Sequence, residues 1–476
     1  ELGMYIRTLP FHAHLSHSET FVNYARRIFN SLQEDATHTQ DPINAYVTEN
    51  QLNHLFVFEN YPIDFTLLSS KGIKIGAFNE RTGAAWTTLV YPKENGFELA
   101  ILHDTRIYSS LYVDHILNHF KNWLSELQWD IPLEQTKGLF IPTARLQGPK
   151  VHRTETNILE ILKRDSKHPL IQGIEIEISY AQLWDEAKSL SSTIQILPGE
   201  AVGIDVKSTY HFVLSIVAVW LAQGVPCPVD RRYPDSRKEF IYTNAGIRKI
   251  LVSEELTLHI QDRLNEPIVH AREASFILHT SGSTGEPKGV LQTHECLINL
   301  ICWNTQAYPL DAKEVILQLS SFGFDASFHE VLLAMSLGAS LIEVPFEARL
   351  DIQQIREYIR GFNATLAWIP ARLLNAILEV DPNFLSDCDS IKHIVTTGEA
   401  LVIGKELKHY IATKGITLLN FYGPTETHVI TAQAITINEA ITQPTIGKSL
   451  PNTDILLVNN HQIVPKGLPG ELWAAG

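Results

Sequence analysis

Between Phe276 and Val290 the chain reads F-I-L-H-T-S-G-S-T-G-E-P-K-G-V, a set of residue types suited to gripping a polyanion. An apolar run from Ala274 to Leu278 leads in. Thr280, Ser281, Gly282, Ser283 and Thr284 follow, then Gly285 and Lys288. Glycine tolerates positive φ, so such a segment can bend back on itself and turn its N–H groups and hydroxyls toward phosphate oxygens. Lys288 adds positive charge. The spacing is not the G-x-x-x-x-G-K-[ST] of a Walker loop, which points to nucleotide handling on another fold. A Ser/Gly-rich linker is the plain alternative, but linkers are seldom entered by a buried-looking strand and closed by Pro-Lys-Gly.

Three further clusters carry chemistry. Asn420-Phe-Tyr-Gly-Pro-Thr-Glu426 follows a β-branched run and so falls where open parallel sheets bind ligands, at the carboxyl ends of strands. Tyr422 can stack on a base, Thr425 can donate to a phosphate, and Glu426 can hold a Mg²⁺ that bridges phosphate oxygens. A Gly-Pro turn with an exposed acid explains the same residues without a ligand. Phe324-Asp325-Ala326-Ser327 sits in an apolar stretch from Phe322 to Leu333, where an ionised Asp is costly to bury without a cation. Asp325 as a helix N-cap is an equal alternative. Thr396-Thr397-Gly398-Glu399-Ala400 again ends a β-branched run on a glycine turn.

The elements that must hold these clusters follow from the pattern. At 476 residues the chain has room for about three folding units. Hydrophobic residues make up 45% and charged residues 19%, as in globular proteins. A formal charge of −15 and the lack of a clustered basic face exclude a nucleic-acid surface. Cys227, Cys296, Cys302 and Cys388 form no C-x-x-C pair, so reduced thiols are expected. The most apolar stretch, Phe212 to Ala222, is too short to span a bilayer, and a cytoplasmic protein is expected. The first section alternates strands (Leu2 to Leu15, Leu52 to Asn60, Ala84 to Tyr91) with helices (Ser18 to Leu32, Ser109 to Leu127). His12, His14 and His17 could hold a metal, though without a nearby carboxylate they read better as polar strand residues. Periodicity lapses between Gln135 and Asn157. Beyond it, short β-branched runs (Ala201 to Val206, Lys249 to Val252, Phe276 to His279, Leu341 to Val344, Ala364 to Trp368, His393 to Thr397, Leu418 to Phe421) alternate with helical stretches, the signature of parallel sheets covered on both faces. From Thr445 onward short strands around Pro451, Asn459-Asn460 and Pro469-Gly470 indicate a small β-subdomain.

Taken in order, the four clusters resemble the adenylate-forming superfamily, and within it the adenylation domains of nonribosomal peptide synthetases. The resemblance runs from about Asn157 to Gly476. Ser179-Tyr-Ala-Gln-Leu183, Leu221-Ala-Gln-Gly-Val-Pro-Cys-Pro-Val-Asp230 and Gly470-Glu-Leu-Trp-Ala-Ala-Gly476 are each similar to a core motif of those domains. The opening section resembles the C-terminal half of a condensation domain through Leu2-Gly-Met-Tyr-Ile-Arg-Thr-Leu-Pro10 and Leu52-Asn-His-Leu-Phe-Val-Phe-Glu-Asn-Tyr-Pro62, with Arg7 where an Asn is usual. No H-H-x-x-x-D-G motif occurs in the chain, so a condensation active site is not expected in it.

The resemblance implies an α/β fold in three parts. These are a condensation-domain C-terminal lobe (an α/β sandwich) at 1–134, a linker at 135–156, and the large N-terminal part of an adenylation domain at 157–476. It implies activation of an amino acid with ATP and Mg²⁺ to an aminoacyl-AMP, then transfer to the phosphopantetheine thiol of a downstream carrier domain. The loop from Thr280 to Lys288 would clamp pyrophosphate, Thr425 would steady the α-phosphate, and Glu426 would hold Mg²⁺. Gly398, Glu399 and Ala400, with Asn420, Tyr422 and Gly423, would form the nucleotide slot. Asp325 would bind the substrate's α-amino group, and Ala326, His329, Trp368, Val395, Thr397, Phe421, Val429 and Ile430 would line its side-chain pocket. A T-G-D motif, a hinge and a mobile subdomain with a bridging Lys would follow Gly476, so little adenylation is expected of the chain alone. The alternatives are an acyl-CoA or aryl-acid ligase of the same superfamily, and a noncatalytic platform.

Overall fold

The structure, a computed structural model, describes residues 13–14, 16, 18–35, 54–58, 84–93, 96–108, 110–135, 144–254, 257–281, 287–436, 443–459, 461–464 and 469–476. His12, His17 and nearly all of the strand expected over Leu2 to Leu15 lie outside them. Among the described residues no group of side chains is placed to hold a metal ion, and no helix is long and apolar enough to cross a membrane. The chain divides into two compact units, Glu1–Arg145 with Leu457–Glu471, and Leu146–Leu456 with Leu472–Gly476.

In the first unit the expected opening helix is α1 (Phe21–Asp35), shifted by three residues. Phe21 sits edge-on to Trp123 at 5.8 Å and to Trp129 at 5.1 Å. Three strands form one sheet: β1 (His54–Phe58) runs parallel to β2 (Trp86–Lys93), which pairs antiparallel with β3 (Gly96–His103). The long helix expected next is α2 (Ser110–Glu126).

After β4 (Arg145–Gln147) the second unit begins with β5 (Ile171–Gln172), β6 (Glu177–Ile178) and α3 (Tyr180–Ile194). Within the segment expected as a linker, 135–156, Val151 is bonded to Asn452. Val151 N–H donates to Asn452 Oδ1 at 2.9 Å, and Asn452 Nδ2 donates back to Val151 O at 2.8 Å. One sheet follows from β7 (Ala201–Asp205), β8 (Val225–Pro228), β9 (Lys249–Glu254) and β10 (Thr257–Asp262), with α4 (Thr209–Leu221) and α5 (Asp235–Asn244) in the connections. Its order is β10-β9-β7-β8. The apolar stretch noted from Phe212 is most of α4, buried along nearly its whole length and capped by Ser208, whose side chain accepts from His211 N–H.

The strand from Phe276 departs from expectation. β11 (Ala274–Ser281) is not a member of a parallel sheet; it pairs antiparallel with β12 (Pro287–Thr293), so the Gly-rich loop closes a hairpin rather than leading into a helix. The cause is legible in β12: Val290 and Gln292 are buried and their neighbours Gly289, Leu291 and Thr293 exposed, the two-residue alternation of a strand covered on one face.

The remaining elements build the large sheet: α6 (His294–Ala307), β13 (Val315–Gln318), α7 (Asp325–Leu337), β14 (Ser340–Glu343), α8 (Ile352–Phe362), β15 (Leu366–Trp368), α9 (Ala371–Val380), β16 (His393–Thr396), α10 (Lys405–Lys414), β17 (Thr417–Tyr422), β18 (Thr431–Ile435) and β19 (Lys448–Ser449). Its order is β19-β18-β17-β16-β15-β13-β14-β5-β6, parallel from β17 through β5 and antiparallel at the margins. Short strands β20 (Asp454–Asn459), β21 (Gln462–Ile463) and β22 (Glu471–Ala475) follow, as expected of a small β-subdomain.

α7 is held firmly at both ends, which matters because Asp325 opens it. Gly338 ends the helix in the left-handed conformation at φ +79, its N–H donating to Ala334 O, and Tyr180 OH reaches Ala339 O at 2.7 Å and Ala334 O at 3.0 Å. Phe328 stacks on Phe276 at 4.2 Å, and Phe322, just before the helix, stacks on Phe212 at 4.3 Å.

Candidate functional site

The helix cap preceding Asp325 is Phe324, in extended conformation with no side-chain cap bond, and Asp325 is the first residue of α7. The N-cap alternative is therefore overturned. Asp325 is half-buried, and its carboxylate forms no ion pair among the described residues. It lies at a small cavity lined also by Ala326, His329, Trp368, Thr397, Phe421, Gly423, His428 and Val429. Seven of the nine residues expected in the pocket thus share one cavity. Val395 and Ile430 do not line it: they are buried at 1% and 3% exposure, with Val395 paired to Trp368 across β16 and β15.

The strand ends gather these side chains. Trp368 closes β15, Thr397 follows β16, and Phe421 lies near the end of β17, on successive parallel strands whose carboxyl ends share one side of the sheet. His329, one turn into α7, lies parallel to Phe421 at 5.7 Å and edge-on to Trp368 at 5.2 Å. Its Nε2 meets Asn304 Nδ2 of α6 at 2.8 Å. Burial holds its imidazole well below the ordinary value, with His428 adding to the effect.

His428 was not among the expected residues. Burial lowers its imidazole too, while the nearby Asp325 charge and main chain oppose that shift. Its Nδ1 accepts from Val429 N–H at 3.0 Å, which leaves the ring proton to Nε2. Its backbone is left-handed, φ +56, because the chain doubles back here: a Cβ on Gly423 would stand 1.6 Å from the His428 carbonyl oxygen. That close return was the missed signal, since only glycine allows it.

The residues expected at a nucleotide fall on two adjacent turns and a hairpin. After β16, Gly398 takes φ +83, and Glu399 and Ala400 are exposed, with Glu399 reaching Arg372 only at 3.9 Å. After β17, Tyr422 is 37% exposed, and Thr425 and Glu426 lie in a turn closed by Thr427 N–H donating to Pro424 O at 3.0 Å. The Glu426 carboxylate is exposed and unpaired among the described residues. Asn420 is committed elsewhere: it is 6% exposed and its Nδ2 donates to Thr445 O at 2.9 Å. On the hairpin, Thr280 stands opposite Lys288, whose side chain is exposed, and Ser281 is opposite Pro287. Gly282, Ser283, Thr284 and Gly285 lie outside the described residues. Hairpin and turn are tied by two groups not foreseen: Gln292 Nε2 donates to Thr425 O at 2.7 Å, and Cys296 Sγ to Thr427 O at 3.5 Å. Burial, with Asp325 and Glu295 nearby, pushes the Cys296 thiol up to about 11, so it remains a donor.

A larger hollow of about 390 Å³ lies beyond the ends of β7, β8 and β14. Two of its charged groups are bonded within the protein. Asp230 is bonded by Arg232 and Ser321, and Arg349 donates to Val344 O, Ser320 O and Gln318 Oε1.

Comparison with known proteins agrees with this architecture. The AMP-binding enzyme family matches residues 161–476. Gramicidin S synthase 2 of Aneurinibacillus migulanus is 24% identical over the whole chain, and tyrocidine synthase 2 of Brevibacillus parabrevis 25%. The chain spans only 12% and 14% of their respective lengths. Among solved structures, a four-domain nonribosomal peptide synthetase bound to AMP and glycine superposes with TM-score 0.69 at 18% identity, covering 97% of this chain and 38% of that one. The N-terminal subdomain of Klebsiella oxytoca NpsA in complex with 3-hydroxybenzoyl-AMSN gives TM-score 0.56 at 21% identity over 67% of this chain and 86% of that one. The family match takes in more than half of the chain, including both turns, the hairpin and the cavity, and the chain belongs to the AMP-binding enzymes.

Proposed function

We propose that this chain is the amino-acid-activating part of a nonribosomal peptide synthetase, with the large N-terminal part of an adenylation domain at 157–476, a linking segment at 135–156 and a condensation-domain lobe at 1–134. In the reaction a substrate carboxylate oxygen attacks the α-phosphorus of ATP. A new O–P bond forms as the bond to pyrophosphate breaks, giving an aminoacyl-AMP for the phosphopantetheine thiol of a carrier domain. Little covalent help is needed; positioning and charge neutralisation supply most of the acceleration.

The observation that carries this reading is Asp325: a half-buried carboxylate that forms no ion pair among the described residues, at a cavity walled by Trp368 and Phe421. A substrate ammonium would neutralise it. Exposed and unpaired, Glu426 fits a Mg²⁺ ligand, and the metal would supply neutralisation of phosphate charge. Lys288, with Thr280 and the loop to Gly285, would hold pyrophosphate; Thr425 would contact the α-phosphate; Gly398 to Ala400 and Tyr422 would flank adenine. The relatives support the module type. An aryl-acid ligase is the second reading, favoured by the likeness to a subdomain whose ligand is a 3-hydroxybenzoyl compound.

Equilibrium binding of nonreactive acyl sulfamoyl adenylates tests the choice. The aminoacyl analogue should bind more tightly than its desamino counterpart, and Asp325→Ala should remove that preference, weakening the aminoacyl analogue about 100-fold with ATP affinity unchanged. Aroyl analogues binding best, with Asp325→Ala without effect, would establish the aryl-acid reading instead.

A further inference from the structure

The cavity at Asp325 is small, and its walls are rings. Trp368 and Phe421 are each 2% exposed and His329 is 1% exposed. His428 closes from another side, 5.7 Å from the His329 ring. Trp368 and Phe421 also belong to the main hydrophobic core, so neither can swing aside without opening voids elsewhere. What remains free is about 10 Å³, room for roughly one water-sized group and far below the roughly 300–1,000 Å³ of usual ligand pockets. An aliphatic side chain of leucine size, or an aromatic one, would have to displace a core ring.

The same walls are not chemically bland. Among the described residues the His329 ring makes one side-chain hydrogen bond, to Asn304. Its Nε2 meets Asn304 Nδ2, and Nδ1 forms no hydrogen bond among the described residues. Thr397 also lines the cavity, and its hydroxyl forms no hydrogen bond among the described residues. A purely apolar occupant would leave these groups unmatched.

We propose that the cavity selects an α-amino acid with a short, hydroxyl-bearing side chain, of the serine or threonine class. This rests on the amino-acid reading above. A hydroxyl donates and accepts at once, so it can pair with the His329 ring nitrogen in either tautomer and with Thr397 Oγ1. The size limit comes from Trp368 and Phe421, the polarity from His329 and Thr397.

Calorimetric titration of the full chain with a set of aminoacyl sulfamoyl adenylates tests both halves. The seryl or threonyl analogue should bind tightest. Its apolar isostere, alanyl or valyl respectively, should be weaker by about 100-fold, because a site built to bond a hydroxyl rejects the analogue lacking it. Leucyl and phenylalanyl analogues should not bind measurably. His329→Phe, which keeps a ring and removes its nitrogens, should erase the threonyl-over-valyl preference while leaving the size limit in place. Its melting temperature reports folding, and the unmodified chain decides the matter if the variant is unstable. Valyl binding equal to threonyl, or leucyl or phenylalanyl binding tightest, overturns the proposal while leaving amino-acid activation standing. Desamino or aroyl analogues binding better than every aminoacyl one overturns the amino-acid reading and this proposal with it.

Discussion

Two aspartates sit at two hollows near the strand ends of the larger unit, and their surroundings are opposite. Asp230 faces the larger space, yet Arg232 and Ser321 bond its carboxylate; burial opposes its ionisation, and those bonds prevail, holding it near 2. Asp325 faces a far smaller cavity and has no cationic partner among the described residues. Volume therefore does not locate chemistry here. A buried charge that the protein pairs for itself is part of the architecture, whereas the half-buried carboxylate among rings is the one that the proposed substrate ammonium would neutralise.

The sharpest way to break that contrast is at Gly423, which belongs to the small cavity and to the turn carrying Thr425 and Glu426. A side chain at this position collides with the His428 carbonyl, so Gly423→Ala must displace the return of the chain. A loss of about 3 kcal/mol in stability is expected, and a displaced turn should weaken ATP binding by about 100-fold. Denaturant unfolding and nucleotide titration measure the two; an unchanged affinity would mean that the turn does not contact nucleotide. Asp230→Ala should do the reverse of Asp325→Ala. With Arg232 half-exposed, it should cost about 2 kcal/mol of stability and leave adenylate-analogue binding intact. Loss of binding without loss of stability at Asp230 would erase the distinction between the hollows. Smaller again is Glu426→Gln, which keeps the side chain's size and loses a metal ligand. MgATP should weaken about tenfold, with metal-free adenylate-analogue binding unchanged; equal loss of both would indicate a damaged turn.

The difference between the hollows also explains what could be read in advance. Strand ends with glycine turns, at Thr397-Gly398 and Tyr422-Gly423, are written locally, and counting from them reached most of the cavity lining. Asp325 was ambiguous because a helix start and a binding carboxylate look alike in sequence; only the position of Phe324 as cap separates them. His428 and Asn304 could not be reached this way, since their roles arise from contacts across α6, α7 and the Gly423 turn. The hairpin was misplaced for a different reason. The apolar run into β11 resembles a parallel strand, and the alternation identifying its antiparallel partner lies beyond the Gly-rich loop.

The two hollows should oppose each other in their response to pH. In the small cavity, His329 and His428 are lowered from the ordinary 6.5, so the folded state prefers them neutral. Their contribution is present above pH 6.5 and is lost as pH falls, because the unfolded chain then binds more protons. His279 and His294, each lowered to about 4 by burial, act in the same direction. Behind the large hollow Glu330 accepts from Gln318 Nε2 and Ser320 Oγ, each at 2.9 Å, yet burial pushes its carboxyl up from 4.5 to about 7. Here the folded state holds the extra proton, so the contribution is full below pH 4.5 and is lost as pH rises through 7. Between pH 4.5 and 6.5 the two trends compete. Glu330→Gln should remove the falling component, so that melting temperature climbs more steeply with pH across that window and no longer declines toward pH 7. His428→Asn, which suits the left-handed backbone there, should flatten the rise instead. Melting curves from pH 4.5 to 8 for the two variants and the unmodified chain provide the check. Parallel shifts without a change of slope would mean that neither Glu330 nor His428 has a pKa altered by folding.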